Sequence, residues 1–348
     1  MSGEYSAQIV EDLKRMVTQG LSRWRLSPSS SLTMLNLSEN ATFALNDPST
    51  RRELILRVHR VGYSTAQEIL SELTWIQALR AAGAVDTASP IPAADGTLVQ
   101  TLVSPSGQSP RFAVAFERLP GVEPTTSSSS GGSTGSDATG WFDRLGELTA
   151  RMHQHARAWE LPADFRRRRW DLEGMVGTHA HFGSWRAAIG LDPQGCKVLE
   201  RALGLIDQRL ARYGSEAARF GLIHADLRLA NLLVDGSHLR IIDFDDCGFG
   251  WYMYDFATAV SFIEEQSIVP AMLSAWLSGY ERVAPLSAAE RDEIPTFIVL
   301  RRIVLTGWLG SHHEIPFAQQ FGAAYTQGTL RLARELLEGA FLANAVHA

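Results

Sequence analysis

The feature that most constrains this chain is a pair of polar motifs separated by a short turn-forming segment. The first motif reads His-Ala-Asp-Leu-Arg-Leu-Ala-Asn at residues 224–231, and the second reads Ile-Ile-Asp-Phe-Asp-Asp at residues 241–246. Between them, short apolar runs flank the turn sequence Asp-Gly-Ser-His at residues 235–238, which predicts a β-hairpin. Because paired strands lie about 5 Å apart, the hairpin should place Asn231, at its entrance, beside Asp243, at its exit.

These residue types suit a reaction at a phosphate group. A carboxamide oxygen and a carboxylate at one point are ligands for Mg²⁺, which also admits phosphate oxygens. Asp226 precedes Asn231 on the loop that feeds the hairpin, where it can accept a proton from a substrate hydroxyl. Phosphoryl transfer needs an aligned nucleophile and cations that spread the charge. An isolated acidic turn is usually only solvated, but the complete first motif favours a phosphotransferase.

The composition is typical of a globular protein with room for one large domain or two lobes. The chain has 348 residues, of which 45% are hydrophobic and 20% are charged, as in ordinary globular domains. Its net charge of −6 argues against nucleic acid as the main partner, because binding to a phosphate backbone needs a basic surface. Two cysteines, Cys196 and Cys247, give no disulfide scaffold.

Targeting signals are not evident in the sequence. The N-terminal residues lack the apolar stretch of a secretory signal. No uninterrupted apolar run reaches the length of about 18 residues that a membrane span requires. We therefore expect a cytoplasmic protein with no membrane partner.

The periodicity of apolar residues divides the chain into a strand-rich first part and a helical second part. Strands are predicted at residues 32–36, 41–45, 53–59, 97–103 and 112–118, and helices at 7–24, 64–82, 141–159, 194–213, 254–265, 269–283, 288–308 and 325–341. Residues 125–140 are almost wholly Ser, Thr, Gly, Asp and Ala, which predicts a disordered loop. We expect an N-terminal lobe at 1–118 and a C-terminal lobe at 119–348.

Taken in order, the motifs resemble those of the aminoglycoside phosphotransferase and choline kinase family, within the protein-kinase-like superfamily. The first motif fits the kinase catalytic-loop pattern, and the second stands where kinases carry Asp-Phe-Gly. Tyr-Asp-Phe-Ala at residues 254–257 completes the pattern of the family. The resemblance implies an α+β, bilobal protein-kinase-like fold, with a small antiparallel-sheet N-lobe carrying one main helix and a large, mainly helical C-lobe.

The resemblance also implies roles for residues in the two motifs and in the strand-rich part of the chain. It implies that Asp226 is the catalytic base and that Asn231 and Asp243 are the metal ligands. Arg57 stands where kinases place the lysine that holds the α- and β-phosphates. Glu72 on the following helix would be its ion-pair partner, and Glu68, one turn earlier, is the alternative.

Further nucleotide contacts follow from the same resemblance. Ser38 and Asn40 lie in the expected nucleotide loop, which lacks the glycine-rich pattern of protein kinases. The backbone from Glu117 to Leu119 would form the hinge that binds adenine. Asp245 replaces the glycine of Asp-Phe-Gly and offers a further carboxylate for a second metal.

These residues predict a phosphotransferase that uses ATP, or another nucleoside triphosphate, with Mg²⁺ to phosphorylate a hydroxyl group of a small molecule. An antibiotic, an amino alcohol such as choline, and homoserine remain open as acceptors. One alternative is a protein serine/threonine kinase, although the sequence lacks a long activation segment ending in Ala-Pro-Glu. Another is a low-turnover nucleotide-binding regulator, against which the set of Asp226, Asn231 and Asp243 weighs.

Other polar and aromatic residues invite weaker interpretations. The four arginines at 166–169 are expected to form a solvated face. Several aromatic and acidic residues are candidates to line the acceptor site, where they would suit a cationic acceptor. These candidates are Trp251, Tyr252, Tyr254, Glu264, Glu265, Trp276 and Glu314.

Overall fold

The chain divides into two compact units. The structure, a computed structural model, describes residues 7–37, 40–104, 106–125, 138–313, 316–342 and 345. One unit comprises Met1–Pro120 with Leu161–Arg167, and the other comprises Gly121–Glu160 with Arg168–Ala348. The sequence predicts one boundary after residue 118 and misses the return of residues 161–167 to the first unit. Long-range hydrogen bonds hold this return segment, for example from the Arg166 backbone N–H to Ser71 Oγ at 2.9 Å.

The described part of the first unit is an antiparallel sheet with two α-helices. Its strands are β1 (Ser31–Leu37), β2 (Ala41–Asp47), β3 (Arg52–Val58), β4 (Pro90–Ile91), β5 (Gln100–Leu102) and β6 (Arg111–Glu117). Their order is β1-β2-β3-β6-β4, and β5 also pairs with β6. The helices are α1 (Ala7–Gly20), which continues into a 3₁₀ turn at Leu21–Trp24, and α2 (Ala66–Ala81).

Local sequence accounts for these elements. Thr65 caps α2 by accepting the backbone N–H of Glu68, whose side chain bonds back to the Thr65 N–H, and this reciprocal box fixes the first turn. Alternating apolar residues of β2 and β3, such as Phe43 and Leu56, are fully buried in a cluster that includes Val17 of α1. The two-residue strand β4 was missed because it is too short to show alternation.

The second unit is mainly helical. Its helices are α3 (Ala138–Ala158), α4 (Leu172–Val176), α5 (Pro193–Tyr213), α6 (Tyr254–Ala259), α7 (Val269–Glu281), α8 (Ala288–Ser311) and α9 (Pro316–Glu338). Its strands are β7 (Arg169–Trp170), β8 (Phe220–Ile223), β9 (Leu232–Asp235), β10 (His238–Ile241) and β11 (Gly248–Trp251). β9 and β10 form the predicted hairpin, and the other strands form a small sheet in the order β7-β11-β8.

One unit built on an antiparallel sheet and one mainly helical unit agree with the expected α+β class, and most predicted elements are present. The helix predicted at 254–265 is wrong in its second half, because α6 ends at Ala259 and Phe262 adopts a left-handed φ of 70°. Strands β7, β8 and β11 were not predicted, since each has four residues or fewer. Of the loop predicted at 125–140, residues 126–137 lie outside the described residues.

Two glycines allow helices α3 and α7 to approach closely. A Cβ on Gly146 would lie 2.0 Å from the Trp276 carbonyl oxygen, and one on Gly279 would lie 1.8 Å from that of Asp143. Any larger side chain would therefore force the two helices apart. Their close contact places His153 of α3 beside Tyr280 of α7, with 3.0 Å between Nδ1 and the hydroxyl.

Among the described residues, α8 is the one helix long and apolar enough to cross a bilayer, with a mean hydropathy of 1.2 over its most apolar window. Of that window, 89% is buried inside the protein. Core helices of globular proteins pass the same test of length and composition, so this helix is weak evidence for a span.

Candidate active site

The loop at residues 224–231 is held by the buried carboxylate of Asp255 at the start of α6. Asp255 accepts the backbone N–H groups of His224 at 3.1 Å and Ala225 at 2.7 Å. Ala225 has a φ of 65°, a conformation that persists in non-glycine residues only when the surroundings impose it. One turn later in α6, Thr258 Oγ accepts the Leu227 N–H at 2.9 Å. Helix α6 thus sets the path of the loop.

His153 in turn orients Asp255. Its Nε2 lies 3.0 Å from Asp255 Oδ2, and its Nδ1 lies 3.0 Å from the Tyr280 hydroxyl. Burial lowers the pKa of His153 and outweighs the opposing effect of Asp255, so the ring is neutral at pH 7. A neutral ring can donate a hydrogen bond to Asp255 and accept one from the Tyr280 hydroxyl. The His153 ring, the Asp255 carboxylate and the Tyr280 hydroxyl are then all hydrogen-bonded, as buried polar groups need to be.

His224 links the two sequence motifs. Burial lowers the pKa of His224, so this ring is also neutral. Its Nδ1 accepts the backbone N–H of Asp226 at 3.3 Å, which leaves Nε2 to donate to the Ile242 carbonyl at 3.2 Å. The ring therefore ties the 224–231 loop to the strand end just before Asp243, and has no nitrogen left to act as a base.

The carboxylate of Asp226 is surrounded by donors. Its Oδ2 accepts Asn231 Nδ2 at 2.7 Å and Arg228 Nε at 3.1 Å, and its Oδ1 accepts Arg301 Nη2 at 2.8 Å. Burial alone would raise the pKa of Asp226, but the charges of Arg228 and Arg301 outweigh it and lower the pKa. Asp226 is therefore ionised at neutral pH and can accept a hydrogen bond from a hydroxyl group.

Asn231 directly precedes β9 and Asp243 follows β10 by two residues, at the open end of the β9–β10 hairpin. The Ile242 N–H donates to the Asn231 carbonyl at 2.9 Å, which places Asp243 one residue beyond this pair. Asp243 has an exposed side chain and a φ of 62°, and strained backbone of this kind clusters at functional sites. Both of the hydrogen bonds made by the Asn231 side chain use Nδ2, so its Oδ1 is available to a ligand.

This donor set fits a hard divalent cation. Asn231 Oδ1 and the Asp243 carboxylate are oxygen ligands of the type that Mg²⁺ and Ca²⁺ prefer. In the described part of the chain, no cluster of three or more His, Cys, Asp or Glu side chains could hold a metal by itself. A cation here would therefore take further ligands from water or from a substrate phosphate.

The first unit contains a buried ion pair between β3 and α2. Arg57 Nη2 lies 2.7 Å from both carboxylate oxygens of Glu72, and the two side chains are 5% and 0% exposed. Glu72 is thus the partner of Arg57. Glu68, the alternative, is used in the cap of α2.

We expect Glu72→Ala to destabilise the first unit strongly and Glu68→Ala to destabilise it weakly. Removing one partner of a buried pair costs about 3–5 kcal/mol, because the other charge stays buried and unpaired. Loss of a capping box costs only about 1 kcal/mol. Urea unfolding of both variants compares the two costs directly; equal losses of stability would contradict the importance of the buried pair.

The remaining nucleotide candidates are Ser38, Asn40 and the backbone from Glu117 to Leu119. Asn40 is buried, and its Oδ1 accepts the backbone N–H of Arg60 at 3.2 Å, while Ser38 lies outside the described residues. The Glu117 N–H donates to the Ser89 carbonyl at 3.0 Å, so it is not available to a base. Leu119 follows the end of β6, and its backbone N–H makes no hydrogen bond to the described residues.

Two of the four arginines at 166–169 are structural, and the other two, Arg166 and Arg169, are exposed as expected. Arg167 donates to the Glu68 carbonyl at 3.0 Å, and Arg168 pairs with Asp246 at 3.3 Å. Their side chains are largely buried. Arg169, in contrast, is exposed and pairs with Asp171 at 3.2 Å. Trp170, directly after the run, is fully buried and donates to the Asp246 carbonyl at 2.8 Å.

Most of the residues expected to line an acceptor site belong to the core. The aromatic members are at most 5% exposed; they are Trp251, Tyr252, Tyr254 and Trp276. The acidic members are already paired, Glu264 with Arg302 at 2.5 Å and Glu265 with Arg331 at 2.6 Å. Glu314 lies outside the described residues. The aromatic or acidic character of these residues did not distinguish an acceptor site from the protein core.

Sequence reasoning also missed Arg301 of α8, which reaches Asp226 from a point 75 residues later in the chain. Its side chain is 2% exposed. A signal was present, because Arg301 and Arg302 interrupt the otherwise apolar stretch Ile-Val-Leu-Arg-Arg-Ile-Val-Leu. Buried arginines need acidic partners, but the sequence does not show which acid each one meets.

Known proteins resemble this chain in sequence and in structure. The sequence model of a family described as "Phosphotransferase enzyme family" matches residues 35–286. The structure of a microcompartment-associated aminopropanol kinase has a TM-score of 0.84 and 41% sequence identity, and the match covers 94% of this chain and 99% of that one. An amicoumacin kinase of Bacillus subtilis (strain 168) is 25% identical over 271 residues, 73% of each protein. A homoserine kinase of Neisseria meningitidis serogroup B is 41% identical over 80 residues, 22% of this chain and 26% of that protein.

Proposed function

This chain belongs to the phosphotransferase enzyme family, and we propose that its acceptor is a small amino alcohol of the aminopropanol type. It is a kinase that phosphorylates a hydroxyl group of a small molecule, as are its relatives. The proposed donor is ATP or another nucleoside triphosphate, used with Mg²⁺. Because the relatives act on small molecules, no observation favours a protein acceptor.

The extent of the similarity carries the choice of acceptor. The 41% identity with the aminopropanol kinase covers 94% of the chain, and so includes most of the helical segments after the hairpin. The homoserine kinase of Neisseria meningitidis has the same identity over only 22% of the chain. Since residues that hold an acceptor come from several distant elements, similarity along the whole chain is the better guide to specificity.

In the proposed reaction, the ionised Asp226 accepts a hydrogen bond from the acceptor hydroxyl and aligns its oxygen for attack. The carboxylate takes the proton as the new O–P bond forms, while the bond between the γ-phosphorus and the β,γ-bridging oxygen of the nucleotide breaks and the nucleoside diphosphate leaves. Asn231 and Asp243 would hold the divalent cation, which neutralises the phosphates of the nucleotide when it is bound. In the first unit, Arg57, braced by Glu72, is the proposed contact to those phosphates, and Leu119 supplies the proposed backbone contact to the base.

We expect 1-amino-2-propanol to be phosphorylated with a kcat/KM at least about 100-fold above that of homoserine. Homoserine adds a carboxylate, and a site built for an uncharged carbon chain leaves that anion unpaired, at a cost of a few kcal/mol. Acceptor-dependent ADP release should be measured for these two compounds and for 3-amino-1-propanol, ethanolamine, choline and amicoumacin. A preference for homoserine or amicoumacin would overturn the proposed acceptor while leaving the kinase chemistry in place.

A further inference from the structure

The contacts of the Asp226 carboxylate are unequal at its two oxygens. A carboxylate has about four lone-pair sites, two on each oxygen. Oδ2 accepts two hydrogen bonds, from Asn231 and Arg228, whereas Oδ1 accepts one, from Arg301. The site that remains is therefore on Oδ1, next to the guanidinium of Arg301.

Arg301 is itself held in one orientation. Its Nε donates to Ser261 Oγ at 3.1 Å while its Nη2 donates to Asp226. The guanidinium carbon lies 5.7 Å from the ring centre of Phe182 and 6.0 Å from that of Tyr254. A planar group bonded through two of its nitrogens and close to two aromatic rings cannot rotate without losing these contacts, so Arg301 fixes the orientation of the carboxylate that it binds.

We propose that Arg301 is a positioning residue, which presents Oδ1 of Asp226 as the oxygen that receives the proton of the acceptor hydroxyl. This role rests on the proposed function, since it acts through the proposed base. Arg228 does not duplicate it, because Arg228 binds the other oxygen and its side chain is 29% exposed, against 2% for Arg301. The proton moves from the acceptor oxygen to Oδ1, and Arg301 is unchanged in the reaction.

A double-mutant cycle separates this role from a merely structural one. Arg301→Gln should lower kcat about 10- to 100-fold in the wild-type background, with the KM of the nucleotide changed by less than about 3-fold. In an Asp226→Asn background it should lower kcat by less than about 2-fold, because Arg301 has no carboxylate left to orient. Arg301→Lys, which keeps the charge without the fork, should recover part of the rate.

Arg302→Gln is the matched control. Arg302 is the next residue in α8 and is equally buried at 3% exposed, but it pairs with Glu264 rather than Asp226. Arg302→Gln should change kcat by the same factor in the wild-type enzyme and in the Asp226→Asn enzyme, whatever the size of that factor. If Arg301→Gln folds poorly, Ser261→Ala supplies the second test, since it loosens Arg301 and should lower kcat in a way that also disappears in the Asp226→Asn background.

Additive effects of Arg301→Gln and Asp226→Asn would overturn the positioning role, as would an Arg301→Gln enzyme with kcat within 2-fold of the wild type. The cycle can be run with whichever acceptor gives the highest turnover. A wild-type enzyme that does not use amino alcohols would therefore refute the proposed acceptor without deciding the role of Arg301.

Discussion

Replacing Asp226 by asparagine should lower kcat by about 10²- to 10⁴-fold, the range typical of a lost general base. Asparagine has nearly the same shape, but its amide cannot take a proton. Its NH₂ group would also face donors, because Asn231, Arg228 and Arg301 all point N–H groups at this side chain. Steady-state ADP release with saturating acceptor measures the loss, and circular dichroism checks that the fold is kept.

Asp235→Asn is the control for this substitution. Asp235 lies in the same motif region, at the tip of the hairpin, with its side chain 47% exposed and paired with Arg240 at 3.2 Å. Exposed pairs of this kind contribute less than about 1 kcal/mol, so its kcat should match that of the wild type. An Asp226→Asn enzyme that retained more than a tenth of the wild-type rate would remove Asp226 from the proposed role of base.

Asp255→Ala should lower the free energy of unfolding by about 3–6 kcal/mol. The substitution removes the acceptor of two buried backbone N–H groups, on His224 and Ala225, and leaves the ring of His153 without its partner. Each unsatisfied buried donor costs about 1–3 kcal/mol. Ala225 also loses the bond that fixes its left-handed backbone, so the loop should become disordered and activity should fall with stability.

Urea unfolding followed by tryptophan fluorescence measures this loss of stability. Asp207→Ala serves as the control, because Asp207 is an exposed residue of α5, where surface substitutions change stability by less than about 0.5 kcal/mol. A change of less than 1 kcal/mol for Asp255→Ala would mean that α6 does not set the path of the 224–231 loop.

The parts of the site that were predictable from the sequence are local. Apolar runs around a turn predicted the hairpin, which the structure contains, whereas a cation site shared by Asn231 and Asp243 stays a prediction. The family resemblance implied Glu72 as the partner of Arg57 and left Glu68 as the alternative. Only the structure separates them, since one of the two is used in a cap and the other is buried beside the arginine.

The parts that were not predictable depend on distant contacts. Arg301 reaches Asp226 across 75 residues, and nothing in a single sequence states which acid a buried arginine will meet. Strand β11 pairs with β7 and β8, which lie far from it in sequence, and four residues with no turn between paired strands are too few to reveal a strand. The aromatic residues expected at an acceptor site proved to be core, because large aromatic side chains serve both purposes.

The most direct test of this account identifies the product of the reaction. The protein should be incubated with ATP, Mg²⁺ and 1-amino-2-propanol, and the mixture followed by ³¹P nuclear magnetic resonance. We expect a phosphomonoester resonance coupled to a carbon-bound proton of the acceptor, growing in step with ADP and at least about 100-fold more slowly with Asp226→Asn. Release of inorganic phosphate alone, or a resonance on the acceptor nitrogen, would contradict phosphorylation of an amino alcohol at its hydroxyl group.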